Sequence, residues 1–353
     1  MKSYLIYIFL IILVIFRYVL SQPVYKNGDR IRITGTVYSD PINYETSQYL
    51  RLAGLKVYLP LYPEIYYGDK VIVEGLVDDG VLKDAKLISQ KETVNFASGV
   101  RKKIIDFYET SLSDPYSGLL AGITLGSKGS LTNTFWEKVK KVGVAHVVVA
   151  SGTNISFVTS FLIAFLSAFL ERKKMIPLVI LGVVLYLFIS GFEAPLIRAA
   201  IMASIVFIAQ ENGRLITAWK ALIVTALVML VIFPNWVVDL GFILSFVATA
   251  SLMLFEKRIR DKLTFIPEFL KESLSTSLAA QIGVTPILFV TSGNFNIWSP
   301  IINMLVLWTI SIIMVVGAIG GIIGLFIPIL GQIVLYIGYP VLWWFNFIVE
   351  IFA

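Results

Sequence analysis

HVVVASGTNISFV, residues His146–Val158, is where the chain turns from polar to persistently apolar, and its reading decides the fold. It holds the only histidine of the protein, followed by Ser151, Gly152, Thr153, Asn154 and Ser156 inside an otherwise apolar segment. Polar side chains at membrane depth cost free energy unless each finds a partner. A serine hydrolase site, a ligand site and a helix-packing seam are the three readings to separate.

The hydrolase reading fails first. On one continuous helix His146 and Ser151 point about 140° apart, and no second histidine exists to serve as base. Among the expected spans a lysine occurs only at Lys220, near one end of 216–233. Counting in fours from Gly152 gives Gly152, Ser156, Ser160, Ala164 and Ala168. Such a ribbon of small residues lets a second helix backbone approach closely, so helix packing is the expectation for this edge. Ser151 and Asn154 lie about 100° and 160° away on the wheel, where each either bonds a neighbouring helix or faces water.

The composition agrees with a membrane protein. Of 353 residues, 57% are hydrophobic and 15% charged, against about 25% charged in soluble domains. Cysteine is absent, which removes disulfide and thiol chemistry, and one histidine makes a zinc site improbable. No cofactor, metal site or catalytic residue is expected. GSKGS (126–130) lacks the spacing of a phosphate-binding loop, so no ATPase is encoded.

Four regions follow along the chain. Residues 1–22 carry an apolar anchor, SYLIYIFLIILVIFRYVL (3–20), preceded by Lys2. Residues 27–93 alternate with period two in DRIRITGTVYS, QYLRLAGLKVYLP and GDKVIVEGLV, with turn signals at Ala53-Gly54 and Asp78-Asp79-Gly80. That spacing fits a small all-β domain of the OB type, with a sandwich fragment as competitor. Residues 94–143 read as interfacial amphipathic helices, one capped by Ser98 and one opened by a capping box at Thr134–Glu137. Between them GLLAGITLG (118–126) is too short to span and reads as re-entrant.

Residues 144–353 form the membrane bundle, with about eight spans near 144–170, 175–191, 194–210, 216–233, 240–256, 273–292, 299–326 and 328–351. ERKK (171–174), ENGR (211–214) and EKRIRDK (256–262) fall in alternate loops, whereas GFE, PNWVVD and TSGNFNIW contain no Lys or Arg. The positive-inside rule then puts the charged loops and the N-terminus in the cytoplasm and the β domain outside. The fold class is therefore a polytopic α-helical protein of the cytoplasmic membrane with an exported small all-β, OB-like N-terminal domain. Intramembrane polar residues that can line a path are His146, Ser151, Asn154, Arg198, Asp239, Ser245, Gln281 and Asn303. Glu193 and Asp239 are candidate partners of Arg198.

The order of these segments resembles the ComEC family of competence proteins. The matching elements are His146-Val-Val-Val-Ala-Ser151-Gly152, Arg198-Ala199, Asp239 with Gly241-Phe-Ile-Leu-Ser-Phe246, Ala280-Gln281 to Pro286, and Asn303, in family order. GLLAGITLGSKGSL and the β domain upstream are similar as well. Asn154 stands where the family usually has a second histidine. Many members also carry a metallo-β-lactamase-like domain, and with no His-rich metal motif before Ala353 none is expected here.

The resemblance implies a channel that moves single-stranded DNA across the cytoplasmic membrane during natural transformation. Its implied partners are the lipid bilayer, a cytoplasmic ATPase and DNA-receptor proteins, with a homodimer left open. Non-specific strand binding needs cations for phosphates and rings for bases. Arg32, Arg51, Lys56 and Tyr58 on the β domain, and Lys102, Lys103, Lys138, Lys140 and Lys141 beyond it, are the candidates. The alternative is a transporter or exporter of another solute, with the β domain as an assembly module.

Overall fold

The computed structural model describes all residues except Met1, 22–24, 39, 45, 92–95, 150, 265 and 293–295. Two compact units emerge, one of Met1–Pro23, Ile155–Val184 and Glu193–Leu307, the other of Val24–Asn154, Leu185–Phe192 and Trp308–Ala353.

The second unit opens with the β domain. Its strands β1 (Arg30–Thr36), β2 (Ile42–Asn43), β3 (Ser47–Leu52), β4 (Leu55–Pro60), β5 (Lys70–Asp78) and β6 (Val81–Lys91) make one six-stranded sheet in the order β1-β5-β6-β4-β3-β2. All pairs are antiparallel except β4 with β6. The short β2 aside, a parallel pair joining two hairpins in this order is the connectivity of an OB-type barrel. Both hairpin turns fall where the sequence places them. Ala53 and Gly54 (φ 49° and 84°) and Asp79 and Gly80 (φ 44° and 76°) take the doubly positive φ of tight two-residue hairpin turns. Inward residues such as Leu50, Val57, Val71, Val73 and Leu82 are buried and form the core. Gly35 on β1 faces Leu52 on β3, and a Cβ there would lie 2.8 Å from Leu52 Cδ1. Glycine thus lets the first strand close against the third.

Four helices follow: α2 (Phe96–Ser111), α3 (Tyr116–Leu125), α4 (Asn133–Val142) and the short α5 (Ala145–Val148). α2 begins two residues before Ser98, which therefore sits in its first turn rather than capping it. α4 begins after Thr132, so the cap expected at Thr134 moves two residues upstream. α3 is the unusual element, with every residue from Ser117 to Leu125 buried. It belongs to the core of this unit.

The small-residue seam of this unit is on α12 (Ser299–Phe326), not where the periodicity of α6 (Gly152–Leu166) put it. In GAIGGIIG (317–324), a Cβ on Gly317 would overlap Thr124 and lie 2.8 Å from Leu120 Cδ1. One on Gly321 would lie 2.7 Å from the Tyr108 hydroxyl, and one on Gly324 would overlap the Phe107 ring. Tyr108 also donates to Gly317 O at 2.7 Å. The glycines therefore bring α2 and α3 onto α12, while Gly331 of α13 (Pro328–Phe352) lies against Gly324 of the same stripe. On α6, by contrast, Ser156, Ser160 and Ala164 are exposed, and Ala168 falls in the turn beyond the helix, also exposed. Only Gly152 of the expected ribbon is half-buried, and the buried edge carries Asn154, Ile155 and Thr159.

The first unit contains α1 (Lys2–Leu20), most of α6, the first part of α7 (Arg172–Ser190), α8 (Ala194–Glu211), α9 (Ala218–Ile232), α10 (Leu240–Lys262) and α11 (Glu268–Ser292). α10 and α11 pack closely because Gly283 faces Ser251, whose hydroxyl donates to Ala279 O at 2.6 Å.

Seven helical segments among the described residues are long and apolar enough to cross a membrane: Ala145–Leu166, Arg172–Ser190, Ala194–Glu211, Leu240–Lys262, Leu270–Thr291, Ser299–Phe326 and Pro328–Phe352. The eighth expected span of the bundle, at 216–233, is a 15-residue helix followed by a 3₁₀ turn at Pro234–Val238. At 1.5 Å per residue it reaches about 22 Å, short of a hydrocarbon core of about 30 Å.

A direct test separates the two seams. Gly317→Val forces side-chain volume into a closed contact and is expected to lower stability by about 1–3 kcal/mol. Ser160→Val on α6 is expected to change little, as read by thermal unfolding of the detergent-solubilised protein. The reverse order of effects would return the packing seam to α6.

Candidate nucleic-acid interface

Alternation on β3 and β4 buries Gln48, Leu50, Leu52, Leu55, Val57 and Leu59 and turns the residues between them outward. The register then sets Arg51 opposite Lys56 and Tyr49 opposite Tyr58, with the two rings 5.2 Å apart. Arg51, Lys56 and Tyr58 thus come together on one outer face, joined by Tyr49, which sequence reasoning missed. Its signal was present, since Tyr49 shares the parity of Arg51 in QYLRL. Two like charges directly opposite each other disfavour the sheet in isolation. Arg32 stands apart on β1, opposite Glu74, whose carboxylate already accepts Arg30 at 2.9 Å.

The basic helices divide differently from expectation. On α2, Lys103 is exposed and Lys102 lies 4.6 Å from the centre of the Tyr66 ring. On α4, Lys138 pairs with Glu350 at 2.6 Å and Lys140 with Glu137 at 2.5 Å, while Lys141 donates to Ala353 O. These are surface pairs, each worth about 0–1 kcal/mol, so a phosphate can displace them. A cleft of ≈ 490 Å³ beside α2, α3 and α4 is lined by Glu109, Ser113, Asp114, Ser117, Ser130 and Thr132. Burial lifts the Glu109 carboxyl above the ordinary range. Its acidity sets it apart from a phosphate path.

Asn154 has a structural task. The last carbonyls of α3 have no intrahelical partner, and the αL cap Gly126 donates back to Gly122 O at 2.9 Å. Asn154 Nδ2 donates to Ile123 O at 2.7 Å, and the Tyr186 hydroxyl donates to Thr124 O at 2.8 Å. Arg101 Nη1 donates to Leu125 O at 2.5 Å and to Ile189 O at 2.7 Å. Its other arm meets Asp40 at 2.6 Å, with side chains only 4% and 10% exposed, and its guanidinium stacks 5.2 Å from the Tyr67 ring centre. The cation also opposes the negative end of the helix dipole. Asn154 is 1% exposed and is also held by Ser151, whose hydroxyl donates to its Oδ1 at 3.2 Å. Of the two readings open for Asn154, the neighbouring helix is the one observed.

His146 lies on α5 and is exposed, and extended backbone at Val149 separates it from α6. The candidate span Ala145–Leu166 is therefore interrupted at Val149, and the angle that relates His146 to Ser151 on a single wheel does not apply. Ser151 is instead occupied with Thr153 and Asn154.

The remaining polar candidates make local contacts within the first unit. Arg198 on α8 donates from Nη1 to Ser245 O at 2.7 Å, and Asp239 caps α10 by accepting from Phe242 N at 3.0 Å. On α11 and α12, Gln281 Nε2 reaches Asn296 O at 3.4 Å, and Asn303 Nδ2 donates to Ser277 Oγ at 2.8 Å. Of the eight path candidates, Arg198 meets the backbone of Ser245 and Ser151 meets Asn154.

Seven apolar helices and a small β domain define a multi-pass membrane protein. The family described as "Competence protein" matches residues 123–353, and the chain belongs to it. Among curated proteins it is similar to "ComE operon protein 3" of Bacillus subtilis (strain 168), 26% identical over 225 residues, covering 64% of this chain and 28% of that protein. It is also similar to "Competence protein ComA" of Neisseria gonorrhoeae, 26% identical over 146 residues, covering 38% and 21% respectively. The match thus spans 28% and 21% of the length of these relatives. No solved structure matches. The family match begins at Ile123, so the β domain is characterised by its own geometry.

The end of α3 yields a prediction. Arg101→Met leaves Asp40 buried without its cation and is expected to cost about 3–5 kcal/mol. Lys102→Met, one residue along, is expected to cost under about 1 kcal/mol, both read by thermal unfolding. Equal effects of the two would remove the buried joint.

Proposed function

We propose that the protein is the membrane-embedded component of a DNA-uptake system and passes single-stranded DNA across the cytoplasmic membrane. Membership of the competence family and the set of apolar helices support the setting. The observation that carries the DNA reading is the β3–β4 face, where Tyr49 and Tyr58 lie beside Arg51 and Lys56. Rings stack on bases of any sequence and cations meet phosphates, which is the chemistry a strand of arbitrary sequence requires.

In this reading the N-terminus is cytoplasmic and the β domain faces outward, receiving the strand together with Lys102 and Lys103. A cytoplasmic ATPase supplies the pull, and receptor proteins deliver the DNA.

The test uses the full chain in nanodiscs with a fluorescent oligothymidylate. Affinity is expected to fall steeply with salt, and Arg51→Gln with Lys56→Gln to flatten the log–log slope by about 1.4. Tyr49→Ala and Tyr58→Ala are each expected to cost about 1–3 kcal/mol of binding. Binding that ignores both salt and these substitutions would favour a different solute, with the β domain as an assembly module.

A further inference from the structure

We infer that Arg198 and Ser245 together form an anion site within the helical bundle, built to take a phosphate oxygen. The inference rests on the proposed passage of DNA only for the identity of its ligand.

Arg198 on α8 spends Nη1 on the carbonyl of Ser245 on α10, at 2.7 Å. Thr249 Oγ1 donates to the same carbonyl at 2.9 Å, so that oxygen is already shared. Two buried atoms of the pair then have no hydrogen-bond partner, Arg198 Nε and Ser245 Oγ. Nε is a donor only, and the hydroxyl is a donor once its proton turns outward. Arg198 Nε therefore lacks an acceptor, which a cation cannot supply.

Charge points the same way. Arg198 forms no ion pair with a carboxylate among the described residues, and Asp239, six positions before Ser245, caps its own helix. An unneutralised guanidinium within a membrane span is costly and is usually paired. Structural arginines avoid that cost as Arg101 does, with a carboxylate at 2.6 Å and two carbonyls. Arg198 is left with one carbonyl. The planar guanidinium fork suits a tetrahedral oxyanion, and a phosphodiester keeps its single negative charge at all physiological pH.

The protein contains no cysteine, so Ser245→Cys places a unique thiol at the site. In the full chain in nanodiscs, labelling rates are compared for a sulfonate-bearing and a trimethylammonium-bearing methanethiosulfonate of similar size. The anionic reagent is expected to react about tenfold faster, a preference kept by Arg198→Lys and lost in Arg198→Gln. Equal rates, or no labelling by either reagent in the Arg198 protein, would overturn the site. Because Arg198→Lys retains the charge, its behaviour separates loss of the site from loss of the fold.

The ligand arms use inorganic phosphate, an oligothymidylate with its natural backbone and one with a neutral methylphosphonate backbone. Protection of the thiol by the natural oligonucleotide and not by the neutral one is the expected result. Protection by inorganic phosphate alone would keep the anion site and remove DNA as its ligand.

Discussion

The last turn of α3 presents the carbonyls of Ile123, Thr124 and Leu125 to surroundings without solvent, and each is met by a different side chain. Asn154, Tyr186 and Arg101 supply the donors, from α6, α7 and α2. A buried acceptor left unpaired costs about 1–3 kcal/mol, so the three elements are committed to their places by one helix end. Arg101 extends the commitment to the β domain through Asp40 and Tyr67. The glycine stripe of α12 then closes the other side of the same unit by admitting Tyr108 and Thr124.

Much of this was legible in the residues. Long apolar blocks and period-two alternation gave the division into spans and strands, and Ala53-Gly54 and Asp79-Gly80 marked the hairpins. What misled was periodicity without a partner. The fourfold recurrence from Gly152 to Ala168 is real, yet the residues beyond Gly152 are exposed, because a wheel shows which side is small and not what lies against it. GAIGGIIG was the better signal, since glycine rather than serine or alanine is needed where a tyrosine or phenylalanine ring meets the backbone. Arg101 was hidden in the run Arg-Lys-Lys. Its spacing of three to Ile104 and seven to Tyr108 places it on the buried face of α2, but the long-range partner Asp40 leaves no trace in local sequence.

The polar residues of the bundle also sort by their bonding. Asn154 is saturated by Ile123 O, Tyr186 and Ser151, so it behaves as structure even though its position is one that drew the functional reading. Arg198 and Ser245 keep unpaired buried donors. Two arginines in one chain thus illustrate opposite uses of the guanidinium, one neutralised in place and one left with capacity to spare.

A strand in transit is expected to touch Tyr58 and Ser245 and not Ile123. Photocrosslinking residues placed singly at these three positions in a competent host, followed by uptake of labelled DNA, test it directly. Labelled single-stranded adducts are predicted at positions 58 and 245 and not at 123. An adduct at 123, or none at 245 while uptake proceeds, would contradict the account.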